Sequence, residues 1–147
     1  MAPIHAAAFA ELDVLTLYRL LELRVSVFVV EQACPYPELD GRDVEPTTVH
    51  LWIDDAGRPV AYLRILAEAD GVVRFGRVVT APNRRGEGLA ARLVRHALAL
   101  TAPAPAVLDA QSHLTAWYQE LGFDVAGAEY LDDGIPHTPM RLARRPC

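Results

Sequence analysis

The chain contains no lysine; all 14 of its Lys/Arg positions are arginine. A Walker-type phosphate loop, a Schiff-base enzyme and a biotin carrier each need a primary amine on the protein, so those classes are excluded. Cysteine is scarce as well, with only Cys34 and Cys147. Two such residues give neither a disulfide framework nor the paired spacing of a zinc site, and a cytoplasmic, reducing compartment is the expectation. Apolar runs fall far below the roughly 18 residues of a membrane span. The start MAPIHAAAFAELD also lacks the basic-then-apolar pattern of a secretory leader. We expect neither secretion nor a membrane partner. The five histidines show no HExxH spacing, so no metal is expected. Neither Ser26 nor Ser112 stands in GxSxG, which removes the usual serine-hydrolase signature.

The 147 residues suit a single domain over 1–147, because chains of about 100–200 residues usually close around one core. Hydrophobic residues make up 52%, enough for that core although 23 of them are alanines with little area to bury. A formal charge of -5 and a pI near 5.5 repel phosphate overall, and no nucleic-acid partner is expected. Leu17, Leu20, Leu21, Val25 and Phe28 recur at helical spacing and predict a helix over about 14–27. Arg24 falls on that apolar face, where its guanidinium either meets an acidic or carbonyl partner or snorkels to water. Glu31 to Pro46 is a proline-punctuated loop, of a length that often carries function in a small domain. Thr48–Ile53 and Val60–Leu66 predict a hairpin, and Val72–Thr80 a third strand broken near Gly76. Leu89, Leu93, Val94, Ala97 and Leu98 mark a second helical face. A short strand at 106–110, a helix at 114–121 ending on Gly122, and strands at 125–130 and 140–142 complete the order. Such an order implies a mixed sheet covered by helices.

The most informative stretch is VVTAPNRRGEGLAARLV, residues 78–94. A strand enters a glycine-rich turn and leaves as an amphipathic helix, so backbone N–H groups and the helix start converge on one spot suited to a diphosphate. Walker A fails for want of lysine, and GxGxxG fails because position 91 is not glycine. The phosphates would rest on backbone amides together with Arg84 and Arg85.

Within it, Arg85-Gly86-Glu87-Gly88-Leu89-Ala90 fits the pattern Gln/Arg-x-x-Gly-x-Gly/Ala and resembles the acetyl-CoA loop of the GNAT superfamily of N-acetyltransferases. The preceding VVTAP looks like that family's central strand, and the resemblance implies that Val78, Val79 and Thr80 bind the pantetheine arm through their main chain. Downstream, HLTAWYQELGF carries Tyr118 four residues before Gly122 and Phe123. In relatives that tyrosine is the proton donor to the departing CoA thiolate, which makes Tyr118 the implied general acid. Many relatives have asparagine where this chain has His113 or Leu114, and His113 is the implied CoA contact there. Further blocks, VFVVEQACPYPELDGRD, AYLRIL, FGRVV, AQSHL and YLDDGIPHTPM, are similar to the ElaA-like group of the superfamily. The fold so implied is α/β (α+β): a mixed, mostly antiparallel central sheet flanked by helices, with splayed central strands forming the CoA cleft.

The resemblance implies direct transfer of an acetyl group from the cosubstrate acetyl-CoA to a primary amine within a ternary complex. The alternative is a non-catalytic acyl-CoA-binding sensor or interaction module on the same fold. The acceptor is a small-molecule or peptide amine, and the chain is compatible with a homodimer. The base that takes the ammonium proton is open among Glu31, His50, Asp109, His113 and His137, with Glu31 and His50 put forward and Glu31 also a candidate wall of the acceptor site. Cys34 fits a small buried hydrophobe better than a nucleophile. Charge divides along the chain: residues 74–95 hold six arginines against Glu87, and residues 38–55 hold six carboxylates against Arg42. The first patch suits an anionic cofactor, and the second is either an attractor of cationic amine or a solvated acidic loop.

Overall fold

The computed structural model describes residues 2–143; Cys147 lies outside the described residues. The strands are β1 (Ile4–Ala8), β2 (Val49–Asp55), β3 (Arg58–Ala67), β4 (Val73–Thr80), β5 (Ala106–Gln111), β6 (Asp124–Val125), β7 (Tyr130–Asp132) and β8 (Ile135–Leu142). The helices are α1 (Val14–Val25), α2 (Leu89–Thr101) and α3 (Thr115–Glu120). All eight strands join one sheet in the order β1-β2-β3-β4-β5-β8-β6, with β7 also beside β8. Every pair is antiparallel except β4 with β5.

Helices pack on both faces of this sheet, each through an apolar stripe. Asp13 caps α1 by accepting the Thr16 N–H at 2.8 Å, and Leu20, Leu23 and Val27 then pack against Trp52, Tyr62 and Val79. On the other face Leu89, Leu93, Val94, Ala97 and Leu98 of α2 share a larger core with Leu63, Phe75, Leu108, Tyr118 and Phe123. Strand alternation decides which side chains reach which helix.

Several elements differ from the sequence expectation. β1 is an extra strand, built from the small side chains of IHAAA, which carry no strong alternation of polarity. α1 runs on as a π-helix over Ser26–Glu31, so the loop starts later than expected. The expected strand at 125–130 is two short pieces, β6 and β7, separated by a turn. β8 is much longer than 140–142 and holds Pro136 and Pro139. Pro139 is accommodated because its carbonyl accepts the Ala126 N–H at 2.8 Å; its nitrogen points to the same outer side, between the residues that pair with β7 and those that pair with β6.

The central strands do splay. β4 and β5 pair only at Val73 with Ala106 and Arg74 with Val107. Beyond that point Arg77 adopts a positive φ of 54°, the β3–β4 register shifts opposite it, and β4 bends away from β5 as a bulged strand does. From Arg77 to Thr80 the β5-facing edge of β4 therefore has no strand partner among the described residues.

The loop after α1 is held down by charge rather than by apolar packing. Arg24 is 1% exposed, donating from Nε to Glu38 at 2.6 Å and from Nη1 to Asp43 at 2.7 Å. Arg64 reaches Asp43 at 3.1 Å and Asp40 at 2.5 Å, and Arg77 pairs with Glu38 at 2.9 Å. Arg24 thus has the acidic partners that were one of its two expected outcomes. These pairs hold Glu38, Asp40 and Asp43 against arginines, so the loop is not simply solvated.

Removing one partner leaves buried charge uncompensated, so Arg24→Ala is predicted to lower unfolding free energy in urea by about 3–5 kcal/mol. Combining Arg24→Met with Asp43→Asn removes one charge of each sign, leaving Arg77 on Glu38 and Arg64 on Asp40, and should recover part of that loss. Asp40 and Asp43 have carboxyl pKa values held below the ordinary range, against an opposing burial effect, by the Arg64 and Arg24 guanidinium groups. Their contribution is complete above roughly pH 5 and drains as pH falls through and below the unfolded value near 3.9. Denaturation midpoints that do not drop faster with acid in the wild type than in the Arg24→Met, Asp43→Asn double variant would contradict this.

Candidate active site

The gap between β4 and β5 opens into a cleft of about 1050 Å³. Its mouth is the turn from Arg84 to Gly88. Gly86 and Gly88 have φ of 83° and 77°, a region other residues rarely occupy, and Gly88 caps α2. With no side chain on either residue, the helix start and the turn amides lie bare toward the cleft.

The two turn arginines already hold carboxylates. Arg84 donates to Glu87 at 2.8 Å and to Asp55 at 2.8 Å. Arg85 makes a two-pronged pair with Glu31, 2.7 Å at each oxygen. Glu31 closes the π-helical segment 54 residues earlier, so this pair ties α1 to the turn at the mouth of the cleft. The Arg85 guanidinium holds the Glu31 carboxyl below its usual pKa range. Arg74, Arg77, Arg84 and Arg85 of the positive patch are therefore each met by carboxylates from other parts of the chain, Asp55 among them.

Tyr118 lies on the wall formed by α3. It is 5% exposed, edge-on to Trp117 at 4.8 Å and to Phe123 at 6.1 Å between ring centroids. Burial pushes its phenol pKa up, with no neighbouring charge acting on it. The hydroxyl keeps its proton at neutral pH and faces chemistry as a donor.

Val78, Val79, Thr80, Arg84, Arg85, Gly86, Gly88, Leu89, Ala90 and His113 all line the same cleft as Tyr118 and Glu31. Glu87 sits in the turn but faces Arg84. His50 is not brought there. It is 1% exposed, its Nε2 donating to the Asp43 carbonyl at 3.0 Å and its Nδ1 accepting from the Tyr62 hydroxyl at 2.7 Å. Burial lowers its pKa. Both nitrogens are spent on fixing the loop.

The opposite wall was largely unread in the sequence. Tyr36 stacks under the Arg77 guanidinium at 5.6 Å, the buried Cys34 thiol meets the Asp133 carbonyl at 3.5 Å, and Gln111 donates to Gln32 at 3.2 Å. Asp109 pairs with Arg74 at 2.5 Å. Burial and then the Asp109 charge push the Tyr130 phenol up to about 12. The prolines beside Tyr36 and the hairpin turn DDG were the available signals, but neither says which distant strand it meets. Among the described residues no group of three or more His, Cys, Asp and Glu is arranged to hold a metal, and no helix is long and apolar enough to cross a membrane.

Residues 20–144 match the profile of the acetyltransferase (GNAT) domain. A UPF0039 protein of Mycobacterium tuberculosis is 51% identical over 134 residues, covering 88% of this chain and 86% of its own. The crystal structure of an acyl-CoA N-acyltransferase from Pseudomonas aeruginosa superposes with a TM-score of 0.92 at 42% identity, covering 97% of this chain and 100% of the other. That of Escherichia coli ElaA does so with 0.90 at 37% identity, covering 97% and 99%.

Glu31 occupies both arms of the Arg85 guanidinium, so any other anion at the turn has to compete with it. Glu31→Gln is predicted to tighten CoA binding severalfold in titration calorimetry, and Arg85→Ala to weaken it. An unchanged dissociation constant for Glu31→Gln would show that the two anions do not compete.

Proposed function

Because the chain belongs to the GNAT acetyltransferase family, in its ElaA-like group, and is an acyltransferase, we propose that it is a cytoplasmic N-acetyltransferase moving the acetyl group of acetyl-CoA to a primary amine by direct attack. One observation carries the reading: the unpaired edge of β4 faces a tyrosine that burial keeps protonated. No metal is called for.

The residues present fit an acyl-CoA. In this proposal the bare amides of Gly86 to Ala90, with Arg84 and Arg85, hold the diphosphate, and His113 stands beside the arm. The free main-chain groups of Val78, Val79 and Thr80 extend the sheet onto the pantetheine amides, as a β-edge does with any extended amide chain. When bound, acetyl-CoA supplies an activated thioester. The β4 N–H donors are fixed before reaction and would be available to negative charge developing on the carbonyl oxygen. Tyr118 gives its proton to the departing sulfur.

No serine or cysteine nucleophile enters this scheme. Cys34 has its thiol against the Asp133 carbonyl at 3.5 Å and serves packing. Transfer therefore runs in one step between the two substrates.

Tyr118→Phe is predicted to lower kcat by about 10²–10⁴-fold, the usual range for a positioned acid, with CoA affinity essentially unchanged. Thiol release from acetyl-CoA with a panel of primary amines reads the rate, and calorimetry reads the affinity. A wild-type protein that binds acetyl-CoA but acetylates no amine would favour the sensor reading instead.

A further inference from the structure

Alternation along β5 and β8 separates the two walls of the cleft by chemistry. Ala106, Leu108 and Ala110 of β5 face α2 and share its core with Tyr118. Asp109 and Gln111 must then face the other way, and Gln111 does reach Gln32 at the end of the α1 extension. In register, His137 of β8 lies opposite Gln111 and also opposite Tyr130 of β7. Directly opposed residues share a face, so His137 stands on the α1 side of the gap while Tyr118 stands on the α2 side.

His137 is also poised by its own bonds. Its Nδ1 lies 2.8 Å from the Ile135 carbonyl. A carbonyl only accepts, so Nδ1 carries the hydrogen and the neutral ring has its lone pair on Nε2. Tyr130 stacks on the ring at 5.9 Å between centroids and 28° between planes, fixing its orientation. Among the described residues no hydrogen bond is made by Nε2. The ring is half-buried, in the cleft yet in reach of solvent.

Three of the other groups put forward as the base are engaged. Glu31 is clasped by Arg85, Asp109 by Arg74, and His50 lies outside the cleft with both nitrogens bonded. His113 sits at the start of α3, on the wall of Tyr118.

Resting on the acetyltransfer reading above, with the amine meeting the cofactor from the other side of the gap, we propose that His137 is the general base of the reaction. Nε2 takes one proton from the incoming ammonium. The neutral amine then forms its N–C bond to the thioester carbonyl, the C–S bond breaks, and Tyr118 protonates the sulfur. The remaining N–H proton of the product cation restores Tyr118 through solvent, and His137 releases its own proton to solvent, so one proton leaves per turnover. Ionisable groups on the same wall are Tyr130 and Asp132 of β7, Asp133 in the turn, and Asp109 with Arg74.

The test compares wild type with His137→Gln on two acceptors, phenethylamine and aniline, using acetyl-CoA and following product by mass. An alkylamine is an ammonium at neutral pH, whereas aniline is already neutral and needs no base before attack. We expect His137→Gln to lose about 10²–10⁴-fold in kcat/KM with phenethylamine, and far less with aniline. The acid limb of the phenethylamine pH profile should flatten in the variant, and acetyl-CoA affinity should match wild type. Equal losses on both amines, or none, would overturn the assignment while leaving the acetyltransfer reading intact. Failure of the wild type to acetylate these two or any other amine of the panel would overturn that reading, and this inference with it.

Discussion

Arg24 is the point from which the working half of the molecule is suspended. A guanidinium at 1% exposure is tolerable only where its charge is met, and Glu38 and Asp43 meet it from a loop with little apolar material of its own. Through Asp43 the contact extends to Arg64, and through Glu38 to Arg77. Arg77 is the residue whose positive φ bends β4. The buried charges, the loop and the splay of the central strands are thus one mechanical unit. Three arginines and three carboxylates make it neutral, which allows it to sit under the sheet without a net field across the cleft.

The splay gives the cleft two walls and a free strand edge between them. A continuous β4–β5 ladder would satisfy the strand edges with each other and leave nothing for a ligand; pairing that stops at Arg74 leaves donors and acceptors free. Because side chains alternate along β5 and β8, the two faces of the gap carry different chemistry. A buried phenol is held on the α2 side and an imidazole with a fixed tautomer on the α1 side. At the mouth, Glu31 fills the guanidinium of Arg85 in place of a ligand.

How much of this could be read in advance depended on the range of the interaction. The turn at Gly86 and Gly88 was plain, since positive φ and a bare helix start are local demands that glycine alone meets. The stripe of α2 and the placement of Tyr118 before Gly122 were equally local. β1 escaped because IHAAA offers small side chains without strong alternation, and it becomes a strand only by pairing with β2. β8 escaped because prolines normally argue against a strand, and Pro139 is harmless only where the outer neighbours leave a gap. The two charge patches were counted correctly along the chain but misjudged as separate fields, since a count cannot say which carboxylate meets which arginine.

The sequence by itself determined the chemistry available: no lysine, so that a glycine turn into a helix offers an anion only amides and arginine, a tyrosine at helical spacing, and a family resemblance built on those blocks. Tertiary structure alone decided who meets whom. It turned His50 into a strut of the loop, set Glu31 against Arg85 across 54 residues, and put His137 opposite Gln111 on the face away from Tyr118. The reason is physical. Backbone conformation and capping are settled within a few residues, whereas the partner of a buried charge and the face of a strand are settled by sheet register, which depends on every strand at once.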